Sequence, residues 1–176
     1  MKINFIKQIA LFFIATNLLA VESGLYLELG MGKGVNEKLN AKERDYSHKN
    51  ATVGSLFLGY QADLYRVELE QSYRSSVLNS SEDIVQDTKM LNFYYSGYNH
   101  SKMVTTFGAG VGVTSVEVLD IESSNIFTYQ AMFSIGYMTT QSITITPKYS
   151  YIRTVKSDDF DRNSDHLITL NIRYLF

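Results

Sequence analysis

A short acidic stretch near residue 160 has the residue types of a cation site. Four oxygen-bearing residues of SDDFDRNSD fall at every second position, as at the start of an EF-hand calcium loop: Asp159, Asp161, Asn163 and Asp165. That motif also needs glycine at its sixth position and glutamate at its twelfth, where this chain has Ser164 and Leu170. The EF-hand match fails, so we expect a solvated acidic loop over 158–165, with a weak divalent-cation site as the alternative.

Ser164 and His166, two positions apart, have the residue types of a nucleophile and its base. A hydrolytic pair also needs a group that orients the histidine, and no carboxylate is evidently placed to do so. The glycine-rich stretches GMGKG and GAGVG lack a phosphate-loop pattern, and the absence of cysteine excludes thiolate metal sites and disulfides. We therefore expect no enzyme activity, no cofactor and no metal ion.

A larger set of charged residues alternates with apolar ones. In YRVELEQSYR, for example, Arg66, Glu68 and Glu70 lie on one face of an extended strand, and Val67 and Leu69 lie on the other. Seven charged residues fall on the same kind of face along the chain: Glu28, Arg66, Glu68, Glu70, Arg74, Lys148 and Arg173. These residues are the candidate functional set, and strands must position them.

Eight segments show this two-residue alternation, and each is long enough to cross a bilayer as a tilted strand. They are 24–33, 51–60, 64–74, 88–98, 103–116, 126–138, 142–154 and 166–176. The connections alternate between three short turns and four long loops, which puts all the long loops at one end. This asymmetry predicts an all-β, eight-stranded, antiparallel up-and-down transmembrane β-barrel.

Alternation alone does not say which face is inside, and a secreted soluble barrel or sandwich is the alternative. Glycines cluster on the charged face, as at Gly108, Gly110 and Gly112, where they would make room for long side chains in a narrow lumen. Aromatic residues of the apolar face concentrate near both strand ends, like the girdles of a membrane barrel. Both features favour a charged interior and a lipid-facing apolar exterior.

The first twenty residues differ from the rest. Lys2 and Lys7 precede an apolar run, IALFFIATNLLA, that is too short for a comfortable transmembrane helix. This pattern predicts a signal peptide over 1–20, which leaves 21–176 as the barrel domain. A single N-terminal anchor helix is the alternative.

The chain ends in ITLNIRYLF, with apolar residues at alternate positions: Leu170, Ile172, Tyr174 and Phe176. In strand number, loop asymmetry and this ending, the mature chain resembles the small eight-stranded outer-membrane barrels of the OmpA, OmpX and opacity-protein type. The resemblance implies that the terminal stripe is the signal read by the barrel-assembly machinery. It also implies a monomer in the cell outer membrane of a Gram-negative bacterium, in contact with outer-membrane lipid and lipopolysaccharide.

Eight strands enclose an interior just wide enough for side chains, so we expect no large diffusion pore. Charges confined there should pair, and we expect Glu28 to contact Arg173, with Arg66 and Glu68 in the same cluster. The near-neutral formal charge of −2 gives no footprint for nucleic acid. We further expect a bulge or kink at Pro147, which donates no backbone hydrogen bond.

These features predict a non-enzymatic outer-membrane barrel with a structural or adhesin-like surface role, through four long extracellular loops and an unidentified ligand. Two alternatives stay open. One is a narrow, gated ion channel through the charged lumen. The other is a lipid A hydrolase that uses Ser164 and His166 on the lipid-facing side.

The terminal stripe generates a first prediction. Removing Phe176 should lower the amount of barrel inserted in cells, because the assembly signal loses its last residue, while refolding in detergent stays unchanged. Heat-modifiable gel mobility of outer-membrane fractions measures insertion. Leu175→Ala, beside the stripe but outside it, is the control. Normal insertion without Phe176 would show that this residue is not part of the signal recognised by the barrel-assembly machinery.

Overall fold

The computed structural model of the protein describes residues 23–37, 39–41, 44–46, 51–77, 83–98, 102–118, 121–155 and 164–176. The predicted signal peptide, seven residues of the first long loop (38, 42, 43 and 47–50) and residues 158–163 of the acidic loop lie outside these ranges. In the part of the chain that is described, no helix is long and apolar enough to cross a membrane.

Eight long strands form a closed barrel in which each strand pairs antiparallel with both neighbours. With two short strands, the described residues form ten strands in chain order: β1 (Gly24–Glu37), β2 (Leu39–Ala41), β3 (Arg44–Tyr46), β4 (Ala51–Ala62), β5 (Tyr65–Val77), β6 (Asp83–Tyr98), β7 (Met103–Val118), β8 (Ile121–Met138), β9 (Ile143–Thr154) and β10 (Ser164–Leu175). The order around the barrel is β1-β10-β9-β8-β7-β6-β5-β4, and the short β2 and β3 form a separate two-stranded sheet. The predicted fold class is confirmed.

The barrel is polar inside and apolar outside. On β5, Glu68 is 1% exposed, whereas its neighbour Leu69 is 59% exposed. Exposed tyrosines lie near both ends of the strands, as at Tyr65 and Tyr73, while Phe93 and Phe107 are exposed between the two ends. Tyrosine suits the membrane–water interface and phenylalanine suits hydrocarbon, so the exterior fits a lipid bilayer and excludes the soluble alternative.

The strands reach further toward the long connections than the sequence pattern indicated. The sequence pattern predicts a loop over 117–125 as the third of the four long connections, but β7 and β8 continue pairing to Val118 and Ile121. A register shift between Thr114 and Val116 accommodates this extension. Most residues of 117–125 are polar or charged, which is typical of a loop, yet backbone pairing continues along both strands of the hairpin.

The expected bulge at Pro147 is absent. Pro147 is exposed on the outer wall and pairs with Leu170. The β8–β9 pairing lapses beside it, between the pairs Ser134–Lys148 and Tyr137–Ile145, but it resumes in the same register. The missing N–H of Pro147 therefore interrupts the hydrogen-bond ladder locally, without the inserted residue that a bulge would need.

The register fixes the stagger of the strands. Following paired residues once around the barrel from Tyr26 leads to Asn36, ten residues further along β1: Tyr26, Gly59, Glu68, Asn92, Gly110, Gln130, Ile152, Asp165 and Asn36. Closing eight strands with such an offset tilts them by about 35–45° from the barrel axis. The register therefore allows the depths of residues on different strands to be compared from their residue numbers.

Glycines create room for bulky residues on the neighbouring strand. Gly59 pairs with Tyr26, and Gly108 pairs with Tyr94. A Cβ atom at either glycine would overlap the paired tyrosine ring. We expected Gly108, Gly110 and Gly112 to make room for Arg and Glu. Instead the space beside them is taken by the side chains directly paired with them, which are Tyr94, Asn92 and Met90.

This arrangement predicts a selective cost of adding one methyl group on β4. Gly59→Ala should lower the free energy of unfolding by about 1–3 kcal/mol, because the Tyr26 ring must move. Gly54→Ala, on the outer face of the same strand with nothing within 4 Å of the new Cβ, is the matched control. Urea unfolding in detergent micelles measures both. Equal stability of the two variants would refute the packing argument.

Candidate functional site in the barrel lumen

All seven charged residues of the candidate set lie inside the barrel. Their exposed fractions lie between 1% and 7%: Glu28, Arg66, Glu68, Glu70, Arg74, Lys148 and Arg173. Asp165, assigned by sequence to the acidic loop, is also inside and only 2% exposed. It belongs to β10, where the alternation puts it on the inner face with Leu167 and Thr169. The described lumen thus holds four acids and four bases.

Glu68 is the centre of the middle layer. Its Oε2 accepts a hydrogen bond of 2.9 Å from the Tyr26 hydroxyl, and its Oε1 accepts one of 2.7 Å from the Tyr94 hydroxyl. Asn92 Nδ2 lies 3.2 Å from the same Oε1. These partners come from β1 and β6, on either side of the β4–β5 pair, so one carboxylate ties several strands together.

Glu70 extends this layer to β8. Its Oε2 accepts hydrogen bonds from Asn92 Nδ2 at 2.8 Å and from Gln130 Nε2 at 2.7 Å. Gln130 also donates to Asn92 Oδ1 at 2.7 Å. Glu70 and Gln130 lie on strands three apart around the barrel, and their contact therefore crosses the lumen.

Glu28 is the neighbour of Arg173, as expected, but it forms its ion pair with another residue. Glu28 and Arg173 lie directly opposite each other on β1 and β10, but the ion pair that the structure gives Glu28 is with Lys148, at 3.9 Å. Asn171 donates a hydrogen bond to the same carboxylate oxygen. Arg173 Nη1 and Nη2 lie 3.2 and 3.3 Å from Gln61 Oε1 and Thr144 Oγ1.

Aromatic rings accompany the lumen cations. The guanidinium carbon of Arg66 lies 4.7 Å from the ring centroid of Tyr94 and 5.8 Å from that of Tyr26. Lys148 Nζ lies 3.8 Å from the ring centroid of Phe57, which is 1% exposed. Ring faces attract cations, and such contacts strengthen away from water. These aromatic residues are not in the set predicted from the sequence, although the two-residue alternation places them on the charged face.

A second layer closes the lumen nearer the long connections. Arg74 on β5 forms an ion pair with Asp165 on β10, three strands away around the barrel. Arg74 Nη2 also donates to Thr88 Oγ1 at 2.8 Å. Thr88, Thr114 and Thr128 continue the contact along the inner wall through hydroxyl distances of 3.0 and 2.8 Å. We call Arg74, Asp165 and these threonines the upper clasp.

Ser164 and His166 lie on the outer wall, away from the lumen. His166 Nδ1 is 2.6 Å from the Tyr149 hydroxyl, at the position where a carboxylate would orient a catalytic histidine. Asp165, between them, faces inward to Arg74. Of the predicted cation ligands, Asp165 is therefore engaged in the lumen, and Asp159, Asp161 and Asn163 lie outside the described residues. No group of three or more possible metal ligands occurs among the residues described.

Comparison with known proteins identifies the fold. No protein-family model and no curated protein sequence matches the chain. Neisserial surface protein A is similar in structure, with a TM-score of 0.75 and 12% identity over 88% of this chain and 99% of that one. The outer membrane protein OprG of Pseudomonas aeruginosa has a TM-score of 0.57 and 13% identity, covering 87% and 97%.

The N-terminal β-barrel domain of OprF, also from P. aeruginosa, has a TM-score of 0.51 and 14% identity over 86% of this chain and 97% of that one. At such identities the similarity concerns the fold. The chain therefore has the fold of the small eight-stranded outer-membrane barrels. Together with the apolar exterior, this fold places the chain in an outer membrane.

The upper clasp generates a stability prediction. Arg74→Ala or Asp165→Ala should each cost about 3–5 kcal/mol of unfolding free energy, because each leaves an unpaired buried charge. The double variant Arg74→Met, Asp165→Leu should cost less than either, since it removes both charges. Urea titration of the folded barrel in micelles gives the three values.

The exposed pair Lys89–Asp87, 3.9 Å apart on the outer wall, provides the control. Lys89→Ala should change stability by about 1 kcal/mol or less. If the double clasp variant were less stable than both single variants, the pairing argument would be wrong.

Proposed function

We propose that this protein is a non-enzymatic outer-membrane barrel whose interior is a structural plug and whose long connections act at the cell surface, by supporting the membrane or by binding a surface ligand. The first connection carries several charges in the sequence, among them Lys38, Lys42, Glu43 and Lys49. Connecting segments held by a rigid scaffold are the usual location of binding residues.

The cross-lumen contacts carry this proposal. Glu70–Gln130 and Arg74–Asp165 each join strands three apart around the barrel, at two different depths. An eight-stranded interior has room for side chains and little else. Ions would have to break both sets of contacts to pass, so the lumen favours rigidity over transport.

The arrangement of the outer wall supports the absence of enzyme activity. A serine hydrolase needs its histidine oriented by an acceptor that stabilises the protonated ring. At His166 a tyrosine hydroxyl occupies that position, and the adjacent Asp165 is committed to Arg74. In the described part of the chain, Ser164 and His166 therefore lack the arrangement of a lipid hydrolase.

A narrow, gated channel is the second candidate. Charged side chains follow the lumen from Arg173 near the short turns, past Glu28 and Lys148, to Arg74 near the long connections. An ion crossing this interior would meet charged side chains at several depths, beside the buried apolar cluster of Val53, Ile152 and Leu167. This succession of charges is the observation that favours conduction.

Single-channel recording separates the two candidates. The refolded mature chain should be silent in a planar bilayer, because both layers of contacts span the lumen. Arg74→Ala with Glu70→Gln, which weakens both layers, should show brief openings if it folds, whereas Lys89→Ala should stay silent. Discrete openings of the unaltered chain that change with Glu28→Gln or Arg173→Gln would establish the channel and refute the plug.

A further inference from the structure

Basic and aromatic side chains cluster on the outer wall where β1, β10 and β9 approach the long connections. His166 projects outward, with its Nδ1 2.6 Å from the Tyr149 hydroxyl and its ring centroid 5.1 Å from that of Tyr151. Lys33 is exposed and Arg153 half-buried on the same outer face. The two tyrosines therefore fix the histidine between two long cationic side chains.

The register gives the spacing of this cluster. His166 pairs directly with Val35 on β1 and with Tyr151 on β9. Lys33 and Arg153 are each two residues from those partners, on opposite sides, so each is a diagonal neighbour of His166 at about 7–8 Å. Lys33, His166 and Arg153 therefore form a straight row. An anion over the histidine ring lies within reach of both cationic side chains.

The stagger of the barrel puts this row at nearly one depth. The register advances ten residues around eight strands. From β1 through β10 to β9, a residue at the same depth therefore lies about one position beyond the directly paired residue, toward the long connections. In the row each residue lies two positions beyond, which is only slightly more. The row therefore runs almost parallel to the membrane surface, as a set of contacts to lipid headgroups would.

Apolar side chains lie directly below the row. Met31 and Ile168 are 73% and 68% exposed, the highest values among the apolar residues described. Ile168 pairs with Lys33, and Met31 is two residues from Lys33 on the side of the short turns. The surface is thus cationic at headgroup level and apolar beneath, which matches a lipid with an anionic headgroup.

The two cations of the row are not neutralised by the described structure. Neither Lys33 nor Arg153 forms an ion pair or side-chain hydrogen bond with another described residue. Along β1 toward the long connections, the next acidic residue in the sequence is Glu37, at the end of the strand. Lys89 on β6, at a similar depth on the far side of the barrel, is instead 3.9 Å from Asp87.

We propose that Lys33, Arg153 and the ring of His166 form a binding site for the phosphate group of an outer-leaflet lipid, whose acyl chains lie along Met31 and Ile168. Phosphate forms strong charge-assisted hydrogen bonds with Lys and Arg. Tyrosine rings at this depth suit the interface between headgroups and hydrocarbon. The inference rests on the outer-membrane placement and is independent of whether the lumen conducts.

Native mass spectrometry of the folded barrel in micelles tests this site. Bisphosphorylated lipid A and the same lipid without its phosphates are titrated separately. The unaltered chain should bind the phosphorylated lipid about tenfold more tightly or better, since each charge-assisted bond contributes at least that factor. The double variant Lys33→Ala, Arg153→Ala should lose this preference.

Two further variants make the result specific. Lys33→Arg with Arg153→Lys keeps both charges and should keep the preference, and Lys89→Ala, which removes a paired cation at the same depth, should leave it unchanged. The proposal fails if the unaltered chain binds both lipids equally, if the double alanine variant retains the preference, or if Lys89→Ala reduces it equally. A chain that refuses to fold in micelles or bilayers would instead contradict the outer-membrane placement.

Discussion

Each charged side chain in the lumen must find an opposite charge or a hydrogen-bond partner inside the barrel, because the outer wall faces lipid and offers neither. Four acids and four bases share this interior among the described residues. Glu68 and Glu70 hold the middle layer through Tyr, Asn and Gln donors, and Arg74 with Asp165 holds the upper one. Pairing across the lumen resists deformation of the barrel, and this electrostatic constraint is the basis of the proposed structural plug.

The narrow interior imposes the second constraint. Eight strands leave little space, so a tyrosine on one strand requires a glycine at the paired position of the next, as at Tyr26–Gly59 and Tyr94–Gly108. Those same two hydroxyls donate to Glu68. Backbone spacing, ring placement and charge pairing are thus parts of one arrangement, and a methyl group added at Gly59 disturbs all of them.

Two-residue periodicity and the alternation of short and long connections were enough to predict the strand number and the antiparallel order. The glycines and the aromatic girdles then predicted that the seven charged residues face inward. None of these patterns could predict partners across the lumen, since these depend on the stagger between strands that are distant in sequence. The register places Arg173 opposite Glu28, as expected, but the ion pair of Glu28 is with Lys148 on β9. Asp165 was assigned to a loop because SDDFDRNSD is acidic. Its position two residues before Leu167 nevertheless puts it on the inward face of β10 if the alternation continues.

The outer-wall site shows the same dependence on stagger. Lys33, His166 and Arg153 come from three strands and have no shared motif in the sequence. They lie at nearly one depth because the strand register advances ten residues once around the barrel.

Thiol accessibility at Ser72 tests the sealed lumen most directly, because the chain has no native cysteine. Ser72 is fully buried on the inner face of β5, between the two layers of contacts, whereas Leu69 on the same strand faces lipid. In liposomes, Ser72→Cys should resist a small water-soluble maleimide, and Leu69→Cys should react only with a lipid-soluble reagent. Adding Arg74→Ala should open Ser72→Cys to the aqueous reagent. Rapid aqueous labelling of Ser72→Cys in the otherwise unaltered barrel would show a water-filled lumen and contradict this account.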